Sequence, residues 1–230
     1  MQDLPELDNP AWHALQTTQA DLAEVAESGE AARYPRKMSP FCAIEDPTQA
    51  AWDGLLELVG PGRAVVFARP GRTDSPPEWK PIFDGTGTQY VCTEPPPAPK
   101  IEADDLGVDD VDEMIALVEL TKPGPFLPRT IEMGHYIGVR REGRLVAMAG
   151  ERLRGETFSE ISAVCVHPDA RRQGLAAALT TVLANEIREQ GRVAMLHVEE
   201  RNQAAHAVYR GIGFEPRVEI TFGGWRHQHP

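Results

Sequence analysis

Apolar positions in the second half of the chain recur with two distinct periods. In "VDDVDEMIALVEL", Val108, Val111, Met114, Ile115 and Val118 fall three or four residues apart, which puts them on one side of a helix. Its acidic first turn suits a helix N-terminus, and Pro123, Gly124 and Pro125 break it. "HYIGVRREGRLVAMAGERLR" reads instead as two strands around the turn "REGR". "EISAVCVH" is a third strand, apolar on both faces toward its end. An alanine-rich helix runs from Leu175 to Gln190 and stops at Gly191. "VAMLHVE" follows as a buried strand, "NQAAHAVYRGIGF" as a shorter helix and "RVEITFGGW" as a last strand. The order is therefore helix, antiparallel strands, helix, strand, helix, strand.

The first half is less regular. Asn9 or Asp8 is positioned to cap a helix that opens at Pro10 and runs through "AWHALQTTQADLAEVAE". "MSPFCAIED" and "RAVVFARP" read as short strands with a helix around "TQAAWDGLLELV" between them. "PGRTDSPPEWKPIFDGTG" reads as loop, and Trp12, Trp52 and Trp79 as core or interface anchors. "TEPPPAPK" carries prolines at 95, 96, 97 and 99, which lack backbone donors and favour extended chain. It divides the chain into a companion part (1–94), a linker (95–100) and a second part (101–230).

Composition narrows the function classes. The 230 residues carry a formal charge of -12, which argues against broad binding to nucleic acid or to an anionic membrane. Cys42, Cys92 and Cys165 are too few and too scattered for a disulfide framework or a zinc site. "MQDLPELDNPAWHAL" lacks the basic and apolar regions of a signal peptide, and no apolar run approaches membrane-spanning length. The expectation is a reduced, soluble, cytoplasmic protein without bound metal.

One stretch resists this ordinary reading. "VCVHPDARRQGLAAAL" places Arg171 and Arg172 at the mouth of a helix, where the dipole disfavours cations. A strand, a Gly-containing turn and a helix N-terminus together form a natural anion site. Gly174 permits close approach of a ligand to the backbone, and Ala176 is small enough to permit a second contact. A diphosphate suits such a mouth better than a single carboxylate. No GxxxxGK[ST] motif is present, which disfavours a nucleotide hydrolase.

Arg171, Arg172-Gln173, Gly174, Leu175 and Ala176 resemble the central motif of the GNAT superfamily of acyl-CoA-dependent acetyltransferases. Asn202, Ala205, Tyr209 and Gly213-Phe214 are similar to that family's second signature, about 30 residues downstream and beyond the expected strand. The resemblance covers roughly 101–230 and is nearest in pattern to the glycine N-acyltransferase-like branch. It implies an α/β (α+β) GNAT fold, with a mixed central sheet whose strands splay and are flanked by helices. It also implies that the smaller first half is a degenerate relative of the same fold.

By that resemblance the cosubstrate is acetyl-CoA and the acceptor a primary amine, with transfer by direct attack in a ternary complex. The protein is then a monomer or homodimer. Val164, Cys165 and Val166 are expected to pair with the pantetheine arm, and Arg171, Arg172, Gln173, Gly174, Leu175, Ala176 and Ala177 to hold the pyrophosphate. Asn202 is expected to touch the cofactor, and Tyr209 to protonate the departing thiolate, since a phenol is protonated at neutral pH. Glu160 is the first candidate for the base, with Glu132, His135 and His197 as alternatives. Cys165, buried on an apolar strand, is a weak nucleophile. The rival reading is a non-catalytic acyl-CoA-binding module.

Overall fold

A computed structural model describes residues 4–228. The first part contains α1 (Pro10–Gln16), the short strands β1 (Glu24–Val25), β2 (Ala31–Arg33) and β3 (Cys42–Ile44), and α2 (Gln49–Val59). Two longer strands, β4 (Ala64–Pro70) and β5 (Trp79–Cys92), complete it. After the proline-rich stretch come β6 (Asp104–Asp105), α3 (Val111–Thr121), β7 (Tyr136–Arg141), β8 (Arg144–Arg154) and β9 (Phe158–Val166). The chain continues through α4 (Leu175–Glu189), β10 (Val193–Glu199), α5 (Gln203–Gly211) and β11 (Glu215–His227).

Eight strands form one mixed sheet in the order β4-β11-β5-β10-β9-β8-β7-β6, while β1, β2 and β3 form a small separate sheet. Among the described residues, only β9 and β10 run parallel within the large sheet. Strands from both sides of the proline-rich stretch thus share one sheet, because β5 lies between β10 and β11. The stretch itself is held down, with the Asn185 amide on α4 donating to the Pro96 carbonyl at 2.9 Å.

Alternation along the strands sorts side chains to two faces. Ile137, Ile161, Leu196 and Val198 meet Leu179, Leu183 and Ile187 of α4, with Tyr209 of α5 packed against the same cluster. Full burial of each such aliphatic side chain contributes about 1.5–3 kcal/mol. On the opposite face Tyr136, Met148 and Cys165 pack against Met114, Leu117 and Val118 of α3. A third cluster joins Trp52 of α2 to Phe67, Trp79 and Trp225, with ring centroids 5.1–6.0 Å from Trp52. Trp12, Trp52 and Trp79 are all buried, as their composition-level reading predicts.

The turn "REGR" has the geometry that a two-residue hairpin requires. Glu142 and Gly143 both have positive φ, at 52° and 78°, which matches the twist of the flanking strands. Thr48 caps α2 by accepting from the Ala51 amide, and Gly191 closes α4 with φ 77°.

Three expectations are corrected. The first helix ends at Gln16 instead of continuing through "TTQADLAEVAE". Tertiary hydrogen bonds override its propensity: Gln19, fully buried, donates to the carbonyls of Met133 and Arg152 at 2.8 and 2.7 Å and accepts from the Tyr34 hydroxyl at 2.6 Å. The segment read as loop up to Gly87 contains the first half of the 14-residue β5. Those residues pair with β11, but β10 joins only from Gly87 onward, so residues 80–84 stay exposed and show no apolar alternation. Val108 lies outside α3 and is 72% exposed, and Leu117 takes its place on the buried face.

An ion cluster ties the sheet edge to α4. His135 Nδ1 lies 3.1 Å from Glu186 of α4, and its Nε2 lies 2.9 Å from Asp105 of β6. Burial alone would lower the imidazole pKa, but hydrogen bonds to Asp105 and Glu186 and their charges outweigh it and raise the value above the ordinary one. A raised folded-state pKa means that the cluster stabilises fully below the unfolded value of about 6.5, and that the contribution is lost as pH rises through the folded value. Comparison of wild type with His135→Gln by urea unfolding should give a stability gap at pH 5.5 that narrows by pH 9. A gap independent of pH would show that the histidine contributes by packing alone.

Candidate active site

The site begins where two neighbouring strands separate. β9 and β10 pair only at Val193–Phe158, Ala194–Ser159 and Met195–Glu160. Beyond Glu160 the β10-facing edge of β9 has no ladder partner among the described residues. A bulge lies in the same stretch, where Ser162 to Cys165 of β9 spans three steps against two from Met148 to Gly150 of β8. Ala163 there has φ 52°, a left-handed conformation that is uncommon for a residue with a side chain. The free edge of β9 thus offers backbone donors and acceptors to an extended ligand, as a sheet edge offers them to an added strand.

Past β9 the chain turns through residues 167–174 into α4. Arg172 has φ 60° and Gly174 φ 77°, so left-handed residues flank Gln173. Such turns aim successive backbone N–H groups into a concavity that suits an anion. The first helical backbone bond runs from the Ala178 N–H to the Gly174 carbonyl at 2.9 Å, which leaves the N–H groups of Leu175, Ala176 and Ala177 without intrahelical acceptors. A Cβ built on Gly174 meets no atom within 4 Å, so a side chain there would enter open space at the helix mouth. These unpaired donors and this open space fit a pyrophosphate.

A cleft of about 450 Å³ follows this edge and mouth. Val164, Cys165, Val166, Arg171, Arg172, Gly174, Leu175, Ala176, Ala177 and Asn202 all line it, together with Tyr209. Gln173 does not; its side-chain oxygen accepts from Arg141 Nη2 at 2.6 Å. Asn202 also caps α5, accepting from the Ala205 amide at 3.2 Å. Motif reasoning missed the contribution of Thr121, Lys122 and Pro123 at the end of α3. The Pro-Gly-Pro stop after that helix was the available signal, and Lys122 ends the helix in a left-handed conformation, with φ 53°.

A second cavity of about 350 Å³ meets the first across Val164, Asn202, Ala205 and Tyr209. Tyr209 therefore stands at the junction of the two. Its ring packs 6.0 Å from Phe214, and burial, with Cys165 adding, pushes its phenol well above the ordinary value. The phenol consequently stays protonated through the physiological range. Burial likewise pushes the Cys165 thiol up to about 11, where little thiolate exists at neutral pH.

The four candidate bases have different surroundings. Glu132 is paired with Arg129 at 2.6 Å, and His135 sits in the cluster on α4; neither lines these cavities. Glu160 and His197 do line the second cavity but are 1% and 2% exposed. Glu160 receives Arg152 through both oxygens, at 2.8 and 2.7 Å, and His197 Nδ1 at 2.8 Å. Burial alone would raise its pKa, but Arg152 and His197 outweigh it and bring the value to about 2. Such a carboxylate accepts protons poorly. His197 Nε2 is also engaged, 3.1 Å from the Gln89 amide nitrogen.

Comparison with known proteins bears on the family and the fold. Residues 136–222 match the FR47-like protein family model. Mycothiol acetyltransferase from Saccharomonospora viridis is 35% identical over 91 residues, which cover 36% of this chain and 30% of that protein. N-alpha-acetyltransferase RimI from Mycobacterium tuberculosis is 37% identical over 84 residues, covering 35% of this chain and 52% of that one. The matched segments thus span from less than a third to about half of these relatives. A GCN5-related N-acetyltransferase from Kribbella flavida shares the fold, with a TM-score of 0.61 at 16% identity and coverage of 95% of both chains. A GNAT-family crystal structure from Novosphingobium aromaticivorans aligns over 99% of this chain and 100% of its own, with a TM-score of 0.86 and 32% identity. The likeness to that protein runs from one end of the chain to the other, first part included, and the chain belongs to the GNAT family of acetyltransferases.

Proposed function

We propose that the protein transfers an acetyl group from acetyl-CoA to a primary amine by direct attack within a ternary complex. The observation that carries this reading is Tyr209, set where the cleft along β9 meets the second cavity. Pantetheine pairs along the free edge from Val164 to Val166, and the helix mouth from Arg171 to Ala177 receives the pyrophosphate. Gln173 acts indirectly, through its contact with Arg141. Acetyl-CoA supplies the thioester. The amine enters from the second cavity, its nitrogen bonds to the carbonyl carbon, and the C–S bond breaks. Tyr209 gives its proton to the leaving sulfur, and solvent restores it. A backbone N–H near the Ala163 bulge serves to polarise the carbonyl oxygen.

No enzyme carboxylate is assigned as base, because Glu160 is held as an ionised partner of Arg152. The amine attacks in its neutral form, and the proton that its nitrogen sheds after attack passes to water, which balances the proton that solvent returns to Tyr209. In this reading 101–230 forms the catalytic part, and 1–94 is a companion that supplies β4 and β5. Placement near the glycine N-acyltransferase-like branch rests on the pattern of a further part, 1–94, ahead of the catalytic one.

Three measurements test the reading. Calorimetry with acetyl-CoA should show binding to the wild type and none to Gly174→Glu, since that side chain would occupy the helix mouth with a negative charge. Equal binding by the two would refute the pyrophosphate assignment. Tyr209→Phe should lower kcat by about 100-fold, the common size for loss of a general acid, with acetyl-CoA affinity unchanged. Binding without turnover of any amine would favour the acyl-CoA-binding module instead. Finally, kcat/KM for the acceptor should rise with pH up to the acceptor's own pKa, and the midpoint should move when acceptors of different pKa are compared. A midpoint common to all acceptors would reveal an enzyme base.

A further inference from the structure

We propose that the acceptor is a monoamine carrying an apolar, ring-sized body, and that polycationic amines are poor acceptors. This deepens the N-acetyltransferase reading and rests on it. The second cavity is walled on one side by Phe41, Val66, Phe83 and Phe222. Three of these belong to the first part of the chain, outside the residues matched by the family model, and Phe222 is the last residue of that match. The rings are held in place. Phe41 lies against the Arg152 guanidinium, 4.7 Å from ring centroid to cation, and Phe222 stands edge-on to His197 at 6.2 Å. Phe83 is 46% exposed, yet its ring crosses the β11 backbone at Gly224, where a Cβ would come within 2.2 Å of it. An absent side chain on β11 thus makes room for an aromatic face at the cavity wall. Apolar and aromatic walls of this kind are what binds the body of a small organic ligand.

The charges point the same way. The cavity is lined by Arg152 and Glu160, paired at 2.7 Å, and by Arg201 and Glu199, also paired at 2.7 Å. The remaining charge is Lys122, which makes no ion pair among the described residues. Three cationic side chains, Lys122, Arg152 and Arg201, thus line the cavity against two carboxylates, Glu160 and Glu199, each of which already faces an arginine. The chain's overall charge of -12 is therefore not expressed at this site. A polycation would meet a lining in which cationic side chains outnumber carboxylates.

The test compares acetylation of phenethylamine, ethylamine and spermidine by the intact protein, with acetyl-CoA affinity measured in parallel. The expected kcat/KM for phenethylamine exceeds those for ethylamine and spermidine by tenfold or more. In Phe83→Ala the phenethylamine-to-ethylamine ratio should fall about tenfold, the equivalent of losing part of one ring contact. Spermidine acetylated as well as phenethylamine would overturn the proposal, as would equal rates for phenethylamine and ethylamine. So would acetyl-CoA binding with none of the three amines acetylated. Failure to bind acetyl-CoA at all would instead remove the underlying N-acetyltransferase reading, and the two failures are thereby distinguished.

Discussion

The early parting of β9 from β10 is the constraint on which the rest of the site depends. Three paired rows hold the two strands together, and past Glu160 they diverge. What holds the branch point is a chain of side chains running across the sheet. Arg152 of β8 binds Glu160 of β9, Glu160 binds His197 of β10, and His197 meets Gln89 of β5. Gln89 in turn accepts from Arg217 of β11 at 2.9 Å, and Arg217 reaches Asp8 at 2.7 Å. Five adjacent strands are thereby cross-linked on one row. Both ring nitrogens of His197 are engaged, Nε2 by the Gln89 amide and Nδ1 by Glu160. Removal of one member would leave a buried partner uncompensated, so the row acts as a unit.

This arrangement explains how much of the site could be read from the chain. The helix mouth was legible because its chemistry is local: Gly174 must adopt positive φ, Ala176 must be small, and both needs appear as residue types at fixed spacing. Asn202 and Tyr209 were legible for the same reason, lying seven residues apart and both lining the cleft. Glu160 was legible as a chemically able residue, but not as one whose oxygens are already occupied. That fact depends on Arg152 eight positions earlier, on His197 thirty-seven later, and on a register set by pairing between three strands. Local pattern gives the residue type, whereas its protonation depends on partners that only the fold brings together.

The first half was harder to read for a related reason. β5 carries Pro81, Gly85 and Gly87 and is polar or glycine from Asp84 to Gln89, so by composition it resembles a loop. Its extended conformation comes from β11, which lies more than a hundred residues further along. Gly87 also lies where an added Cβ would come within 2.5 Å of the Val198 carbonyl, so the glycine that weakens the strand signal is what allows close contact with β10. A short-range reading gives such residues the opposite meaning from the one they have in the sheet.

The placement of β5 has a consequence for how the two parts of the chain divide their work. The first cavity is built largely from β9, α4 and α5, whereas the wall of the second draws Phe41, Val66 and Phe83 from the first part. Because β5 is inserted between β10 and β11, that wall cannot move independently of the strand carrying His197. Side-chain substitutions in the first part can still reshape the second cavity while the β9 edge and the helix mouth stay as they are. The reverse does not hold. A change at the Arg152–Glu160–His197 row would disturb both cavities together, because the row lies at the point where the strands part and Tyr209 joins the two.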